Sequence, residues 1–457
     1  MSPAHTLYTA DWVLPMVTPP LPQGAVLVRD GQIAWVGPAA HATAHMPADT
    51  PVHALGTVAL MPGLVNAHSH LELTGLRGFL EGLDFREWLR TLTIVRRDLL
   101  SEDDLLDASR LGIAEALRHG ITTLADCTDS ALPLAAMREL GVRGIGYVEV
   151  FGPDPLQCDE SMARLRQRVA VLRAADTSLV RTGVSPHAPY TVSATLFAAT
   201  AAFARAEELP MAVHVGESAA ESAFVVEGTG PFAVRLRERG IAVAPQALSP
   251  IALLEDTGVL AARPLLVHVI RADDRDFARI ADHGATIVHC PISNAKLGHG
   301  IAPLDRMLAH GIATGLGSDS VASNDRMHLL DEARQATLFH AVRSGSPDSL
   351  SAHDALGLAT HGGARALGLG DTIGTIEPGK AADLAAFALD GTDIQPVHDP
   401  AVALVHALAG RATALLVMVA GRVLVRDGQL QAASADWEAR QRVTAARLGE
   451  WRQRRSQ

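Results

Sequence analysis

Hydrophobic residues in the central part of this chain occur in short, nearly unbroken runs separated by longer amphipathic stretches. Such runs are typical of strands buried on both faces of a parallel sheet, and the stretches between them have helical spacing. The predicted strands cover residues 63–68, 121–126, 142–150, 180–185, 211–215, 264–268, 285–289 and 312–318. Regular alternation of these strands with helices predicts a (β/α)8 barrel, with any active site at the carboxyl ends of the strands.

The predicted helices between these strands carry start and stop signals. Residues 101–120 begin with Ser101 and Asp104, a capping-box pattern, and end at Gly120. Further helices are predicted at residues 159–175, 193–208 and 273–284. A doubly wound open sheet is the alternative architecture, but it would need a glycine-rich phosphate loop after the first strand, and this sequence has none there.

Both ends of the chain have a β pattern that differs from the centre. Residues 25–37 form two β-rich runs around Asp30-Gly31, and residues 415–430 repeat that texture around Ala420-Gly421. We interpret the two segments as one small β-sandwich assembled from both termini, the alternative being two unrelated edge hairpins. The predicted domains are residues 1–57 and 369–433 for the sandwich, 58–368 for the barrel and 434–457 for a terminal helix that starts at Ser434.

Composition narrows the class of protein. The chain has 457 residues, 48% of them hydrophobic, and a formal net charge of -11, which argues against a nucleic-acid surface. It has no long uncharged apolar run and no basic start followed by an apolar segment, so we expect neither a membrane span nor a signal peptide. Three scattered cysteines favour a reducing compartment, and we expect a cytoplasmic protein. We leave a homodimer open.

Titratable residues recur where the predicted strands end. They are His68, His70, His187, His214, Glu217, His268, His289 and Asp319. A single strand-end histidine is usually a hydrogen-bonded rim residue, and an aspartate before a helix is usually an N-cap. Together at one barrel mouth, however, such groups would be destabilising unless a metal or a substrate engaged them. The pattern therefore predicts a metal-dependent active site.

The motifs around these residues resemble those of a known enzyme family. They are PGLVNAHSH, SPHAPYT, HVGES, IVHCPISNAKLGHGIAPL, GLGSDSVASN and IEPGKAADL. In combination they resemble the amidohydrolase superfamily, in particular its adenosine and cytosine deaminase-like and chlorohydrolase-like branch. The resemblance covers nearly the whole chain and implies a distorted (β/α)8 barrel with a composite β-sandwich, the architecture that the pattern itself predicts.

The resemblance also implies a set of metal ligands. By position in the motifs they are His68, His70, His214 and Asp319. Imidazole and carboxylate ligands suit Zn²⁺, with Fe²⁺ or Mn²⁺ as alternatives. Superfamily members with two metals use a carboxylated lysine at the end of the fourth strand, where this chain has no lysine. We therefore expect one divalent metal, with zinc as the first choice.

Three catalytic roles follow from the resemblance. A metal lowers the pKa of its bound water toward ~7, and Asp319 is expected to accept the proton of that water. His268 is expected to orient the nucleophile and to stabilise charge on the tetrahedral intermediate. In the resembling deaminases, a glutamate at the place of Glu217 protonates a ring nitrogen of the base. An ordinary helix-start carboxylate is the alternative reading of Glu217.

The segment after the first strand is expected to cover the site. Its candidate substrate contacts are Glu72, Arg77 and Trp88, and His187 is a further candidate from the fourth strand. Ordinary loop packing is the alternative for each. Arg96 and Arg97 would suit a substrate carboxylate, although a solvated helix face explains them as well.

The substrate is a small molecule, and the resemblance narrows it. The HSHLELTGLRG segment is most similar to the aminodeoxyfutalosine deaminases of menaquinone biosynthesis. We therefore expect deamination of 6-amino-6-deoxyfutalosine to futalosine. The alternatives are a deaminase of S-adenosylhomocysteine, methylthioadenosine or adenosine, a triazine-type chlorohydrolase and a cyclic-amide hydrolase. A catalytically inactive scaffold is disfavoured by the intact set of ligands.

Overall fold

A computed structural model of the protein describes residues 5–432 and 435–456. In chain order its strands are β1 (His5–Val13), β2 (Leu21–Arg29), β3 (Gln32–Pro38), β4 (Val52–Ala54), β5 (Val58–Pro62), β6 (Leu64–Ser69), β7 (Ile121–Thr128), β8 (Arg143–Val150), β9 (Val180–Pro186), β10 (Ala212–Val215), β11 (Leu265–His268), β12 (Thr286–His289), β13 (Thr314–Leu316), β14 (Leu384–Ala388), β15 (Ala414–Val419), β16 (Arg422–Arg426) and β17 (Gln429–Leu430).

The α-helices complete the description of the elements. They are α1 (Phe85–Leu99), α2 (Glu102–Arg118), α3 (Leu132–Leu140), α4 (Cys158–Arg173), α5 (Ala194–Ala206), α6 (Ala219–Glu227), α7 (Gly230–Glu238), α8 (Pro250–Asp256), α9 (Asp274–His283), α10 (Pro291–Lys296), α11 (Leu304–Ala309), α12 (Val321–Asn324), α13 (Leu329–Ser344), α14 (Ala352–Gly357), α15 (Gly363–Ala366), α16 (Pro400–Val402) and α17 (Ala435–Ser456). Short 3-10 and π turns occur between them, including the 3-10 helix Leu71–Leu76 that follows β6. The predicted helix start at Ser434 lies outside the described residues.

The strands β6 to β13 form the predicted barrel. Two parallel four-stranded sheets run in the orders β6-β7-β8-β9 and β10-β11-β12-β13. Parallel bridges between Val184 and Met211 and between Ser69 and Asp319 join the two sheets at both seams, so that the strands close into a ring. These strands are buried almost throughout, which explains their continuous apolar runs. The predicted (β/α)8 architecture is confirmed.

Strands from both ends of the chain form the predicted β domain. Within the described residues they make one nine-stranded sheet, in the order β17-β16-β15-β14-β5-β1-β2-β3 with β4 beside β1. Asp30-Gly31 joins β2 to β3, and Ala420-Gly421 joins β15 to β16, with positive φ at all four residues, as type I′ turns require. The composite domain is confirmed, and hydrogen bonds link its strands into one continuous sheet rather than two separate sheets.

The strand β5 belongs to this sheet. It pairs with β1 and with β14, so the sheet extends to Pro62, past the boundary at residue 57 that the sequence suggested. The sequence placed this apolar run in the barrel because it leads directly into β6. We keep the four domain ranges as a proposal, with the first extended to Pro62.

No helix among residues 5–432 and 435–456 combines the length and the apolar character that crossing a bilayer requires.

Candidate active site

His68 and His70 lie where β6 ends at the barrel mouth. His68 is in the strand, and His70 is the first residue beyond it, at the start of the 3-10 helix. Residues two apart in a regular strand point to the same side of the sheet. The chain leaves the strand at His70, yet the rings still converge, with centroids 4.9 Å apart in an edge-on arrangement.

Asp319 and His214 complete this cluster from other strands. The Nε2 atom of His68 lies 3.2 Å from Oδ1 of Asp319, and Nε2 of His70 lies 3.6 Å from the same oxygen. The Nε2 atoms of His70 and His214 are 3.3 Å apart. Closure of the barrel explains these contacts, because β13 returns beside β6 and the Asp319 amide donates to the carbonyl of His68.

The cluster fits a divalent metal ion. Ligand atoms at ~2.0–2.1 Å from a tetrahedral Zn²⁺ lie about 3.4 Å from one another, close to the separations found here. Burial lowers the pKa of His70 to about 3 and the pKa of His214 well below its usual value, so both rings are neutral at pH 7, the form that binds metals. The described residues also place His68, His268 and Asp319 within metal-binding distance of one another.

Serines fix the orientation of the Asp319 carboxylate. Ser293 donates to Oδ2 of Asp319 at 2.5 Å, and Ser323 donates to the same oxygen at 3.3 Å. The other oxygen, Oδ1, is thereby directed at the imidazoles. Burial alone would raise the pKa of Asp319, but the hydrogen bond and charge of His68 outweigh it and hold the pKa well below its usual value. Asp319 is therefore ionised, as a ligand or a proton acceptor must be.

Glu217 lies beside this cluster on the loop that follows β10. It is 5% exposed, and its Oε1 lies 3.6 Å from Nε2 of His268 and 3.5 Å from Nε2 of His299. Burial alone would raise the pKa of Glu217, but the two imidazoles outweigh it and lower the pKa. The buried carboxyl group of Glu221 accepts hydrogen bonds from the amides of Gly216 and Glu217 at 2.7 and 2.9 Å and so holds the loop.

The His268 ring is oriented by Asn294. The Nδ1 atom of His268 lies 2.9 Å from Oδ1 of Asn294. Because an amide oxygen only accepts, the proton sits on Nδ1, and Nε2 is free to face Glu217 and the cluster. Ser293 and Asn294 are neighbours in the short helix α10, which follows β12. Their contacts with Asp319 and His268 show that they hold two of the predicted site residues in place.

Sequence reasoning missed two residues of the site. His299 is 6% exposed beside Glu217, with the ring of Phe85 from α1 packed edge-on at 4.5 Å. Glu149 is 6% exposed near the end of β8, and its Oε1 lies 3.9 Å from Nε2 of His187. The surrounding sequence gave neither residue the look of a site residue, because His299 lies in a glycine-rich loop and Glu149 lies within an apolar strand. The signal for Glu149 was its position at a strand end, where His187 was found.

The buried Glu72 forms an ion pair with the partly buried Arg96 beside Glu149. The Nη2 atom of Arg96 lies 2.7 Å from Oε1 of Glu72, and Nη1 contacts Asp129. Oε2 of Glu72 accepts from Thr128 and from Ser130. Protein partners therefore occupy both oxygens of Glu72, and Arg96 lies between two carboxylates.

The remaining predicted substrate contacts are engaged with protein groups in this structure. Arg77 pairs with Glu115, and Arg97, whose side chain is 71% exposed, pairs with its neighbour Asp98. The indole of Trp88 is buried, and its N–H lies 3.4 Å from the carbonyl of Ala322. Trp88 thus joins α1 to the short helix α12, which begins two residues after Asp319. The substrate-contact role of these residues stays a prediction.

Comparison with known proteins agrees with this geometry. A model of the amidohydrolase family matches residues 59–424. A 5-methylthioadenosine/S-adenosylhomocysteine deaminase from Desulforudis audaxviator is 33% identical, over 93% of this chain and 94% of its own length. An adenosine deaminase from Xanthomonas campestris, solved with bound zinc, superimposes with a TM-score of 0.86 at 30% identity, covering 97% of this chain and 98% of the other.

Other solved structures share the fold at lower identity. The atrazine chlorohydrolase of Arthrobacter aurescens, in complex with zinc, has a TM-score of 0.82 at 25% identity, over 96% of this chain and 100% of the other. The aminofutalosine deaminase of Helicobacter pylori has a TM-score of 0.80 at 21% identity, over 92% and 100%, which shows the fold alone. With a family model that spans most of the barrel and a relative 33% identical over nearly its whole length, this chain belongs to the amidohydrolase family of hydrolytic enzymes.

Proposed function

We propose that this amidohydrolase is a deaminase that replaces the 6-amino group of an adenine nucleoside with oxygen, releasing ammonia. The observation that carries the proposal is the buried Glu217 carboxylate between His268 and His299, beside the His/Asp cluster. A hydrolytic deaminase needs a nucleophile and a proton donor to the ring on one side of a closed site. The names of the relatives support the same class.

His68, His70, His214 and Asp319 would hold one divalent metal ion, which we propose is zinc. Such an ion lowers the pKa of a bound water and so supplies a nucleophile at neutral pH. Asp319, held by Ser293 and Ser323, accepts the proton of the attacking water. His268, with its Nδ1 proton committed to Asn294, offers the lone pair of Nε2 as an acceptor that orients the attacking water.

Glu217 handles the proton on the ring of the base. In its protonated form it gives a proton to N1, which makes the adjacent C6 electrophilic. The exocyclic amine then takes the proton held by Asp319 and leaves as ammonia, while Glu217 recovers a proton from the hydroxyl group now bound to C6. Water and the adenine nucleoside are consumed, and the 6-oxo nucleoside and ammonia are formed. The loop of Glu217 is fixed by Glu221, so the carboxylate is preorganised for both transfers.

For the group beyond the base we propose 5′-substituted adenosines of the methylthioadenosine and S-adenosylhomocysteine type. The 33% identical relative is named for these compounds. The second candidate is 6-amino-6-deoxyfutalosine, which the HSHLELTGLRG segment favours and which would place the protein in menaquinone biosynthesis. Its aryl carboxylate would need an arginine, and Arg77, Arg96 and Arg97 would each have to leave an existing acidic partner.

Ammonia release by the metal-loaded enzyme tests the proposal. The panel is adenosine, methylthioadenosine, S-adenosylhomocysteine and 6-amino-6-deoxyfutalosine, with chloride release from atrazine as the rival reaction. We expect ammonia from the adenine compounds, with methylthioadenosine or S-adenosylhomocysteine turned over most efficiently. A clear preference for 6-amino-6-deoxyfutalosine would reverse the order of the two candidates. Chloride release without any ammonia from adenine compounds would replace the deaminase assignment with a chlorohydrolase.

A further inference from the structure

The carboxyl group of Glu149 has an oxygen with no partner. Glu149 lies at the carboxyl end of β8, and its side chain is 7% exposed. Among the described residues, its Oε1 is buried and makes no hydrogen bond. Leaving a buried polar atom unpaired costs about 1–3 kcal/mol, so this oxygen points to a missing donor.

The Nε2 atom of His187 faces this oxygen and is a second hydrogen-bond acceptor. Its Nδ1 lies 2.8 Å from the hydroxyl oxygen of Thr191, and that hydroxyl donates its own hydrogen to the carbonyl of Ala188. The hydroxyl therefore accepts from His187, which places the ring proton on Nδ1 and leaves a lone pair on Nε2. Nε2 of His187 and Oε1 of Glu149 are 3.9 Å apart, too far for a hydrogen bond between them.

A second metal ion does not explain the pair. Glu149, His187 and His214 lie close enough for three ligands, but both nitrogens of His214 are already engaged. Its Nδ1 lies 3.1 Å from the carbonyl of His187, and its Nε2 faces His70 in the first cluster. Without His214 the pair has two ligands, which is too few for a protein metal site.

The surroundings also disfavour an anionic ligand. Asp129 and Glu72 lie near Glu149 and, after burial itself, are the main influences that raise its pKa. The nearby cation, Arg96, is bound between those two carboxylates. A neutral group that donates hydrogen bonds fits this position, because a carboxyl group offers an acceptor oxygen in both protonation states.

We propose that Glu149 and His187 together receive adjacent hydroxyl groups of the substrate's sugar, which makes Glu149 a specificity-determining residue for ribonucleosides. The inference rests on the proposed function. Two acceptors 3.9 Å apart suit two donors on neighbouring carbons, since each hydroxyl can give its hydrogen to one of them. Selectivity then arises because a substrate without the hydroxyl leaves a buried acceptor unpaired.

The test combines an enzyme variant with the deletion of a substrate hydroxyl. Wild type and Glu149→Leu, which has no acceptor atom at this position, are assayed for kcat/KM with adenosine, 2′-deoxyadenosine and 3′-deoxyadenosine. We expect wild type to lose about 10- to 100-fold on at least one deoxy substrate, as for a hydrogen bond to a charged or buried partner. Glu149→Leu should lose a similar factor with adenosine and little more with that deoxy substrate. Losses that multiply independently would overturn the assignment.

Two further variants distinguish a specific loss of hydroxyl recognition from a general loss of structure. Glu160→Gln removes an exposed carboxylate on α4 that pairs only along the helix, and it should leave all rates unchanged. Thr191→Val removes the acceptor that orients His187, so the preference for adenosine over the deoxy substrate should fall even if Glu149→Leu does not fold. Equal kcat/KM values of the wild type for all three nucleosides would refute the hydroxyl role and leave the proposed function intact. A wild type that deaminates no adenine compound would overturn the proposed function as well.

Discussion

At the scale of single residues, two residues of the site have a left-handed backbone conformation. His268 and Asp319 have φ values of +75° and +57°, in the left-handed region that non-glycine residues enter at a cost of about 1–3 kcal/mol. Both residues turn out of strand ends at the barrel mouth, and their side chains are held by Asn294 and Ser293. Both positions are ones that the proposed chemistry uses, and Val269, beside His268, shares the left-handed backbone with a φ of +46°.

The role of Glu217 can be tested by a substitution that keeps its shape. Glu217→Gln cannot carry a proton, and general acid–base catalysis is worth ~10²–10⁴-fold. We expect kcat to fall by at least that factor while metal content is unchanged. Glu227→Gln, an exposed carboxylate on the following helix, is the matched control and should keep full activity. Near-normal turnover by the Glu217 variant would leave Glu217 a structural role only.

Metal binding can be tested independently of activity. Wild type purified with excess zinc should contain one ion per chain by elemental analysis, and His70→Ala should contain far less, because three remaining ligands form an incomplete shell. His41→Ala, which removes an exposed histidine of the β domain, should retain the ion. Two ions per chain in the wild type, or a full ion in His70→Ala, would contradict the proposed ligand set.

The sequence located the residues whose position follows from strand ends, and it missed those defined by contacts in space. His68, His214 and Asp319 follow from the strand pattern because barrel strands all end at one mouth. Glu149 also ends a strand, but its apolar neighbours Val148 and Val150 made it look like core. Asn294, in the six-residue helix α10, and His299, in the loop after it, are identified only by what they touch, since neither short segment has a hydrophobic period that fixes side-chain direction.

At the scale of elements, the terminal helix α17 anchors the start of α2. Asp104 of α2 accepts hydrogen bonds from the amide of Ser101 at 2.8 Å and from the Arg447 guanidinium of α17 at 2.7 Å. Leu448 of α17 is buried in the same cluster as Trp88 and Leu76 from the segment next to the site. The sequence predicted the capping box at Ser101 and a terminal helix, but not that they meet.

This contact makes a prediction about pH. Burial alone would raise the pKa of Asp104, but hydrogen bonds from Thr444 and Ser101 outweigh it and lower the pKa to about 2. A carboxylate with a lowered folded-state pKa stabilises the protein above the unfolded-state pKa near 4, and that contribution is lost as the pH falls toward 2. Asp104→Asn should therefore lower the melting temperature more at pH 7 than at pH 3.

The hydrogen bonds that Asp104→Asn removes determine how large its loss of stability should be. Losing charge-assisted hydrogen bonds of this kind costs about 1–3 kcal/mol. Asp103→Asn makes the same change of charge one residue away at an exposed position and should shift the melting temperature little at either pH. An equal shift for Asp104→Asn at both pH values would mean that its charge is not what joins the two helices.

At the scale of the whole molecule, a buried ion pair connects the barrel to the β domain. Arg143 of β8 binds Asp383 with two hydrogen bonds, of 2.7 and 3.0 Å, and the side chains are 7% and 2% exposed. Asp383 also accepts from the amide of Ala420 in the turn between β15 and β16. That turn packs against Gly31, where an added Cβ would lie 2.6 Å from the Ala420 carbonyl. The Asp383 carboxylate therefore accepts hydrogen bonds from both the barrel and the β domain.

Removing one partner of this pair should harm stability more than removing both. A lone buried charge costs about 3–5 kcal/mol, whereas an apolar replacement of the whole pair is often nearly neutral. We expect Arg143→Met and Asp383→Leu each to lower the melting temperature, and the double variant to melt above the less stable single variant. Strictly additive losses would show that the two side chains act independently.

The pairing of β5 with β14 has a consequence for how the protein is made. The two strands align from Val58 to Pro62 against Leu384 to Ala388, about 320 residues apart. At roughly 5–20 residues per second of translation, about 15–60 s pass between the synthesis of β5 and the synthesis of β14. For that time one edge of an apolar strand is open to other chains, so the growing polypeptide is most prone to aggregate after the barrel strands have emerged and before residue 384 follows.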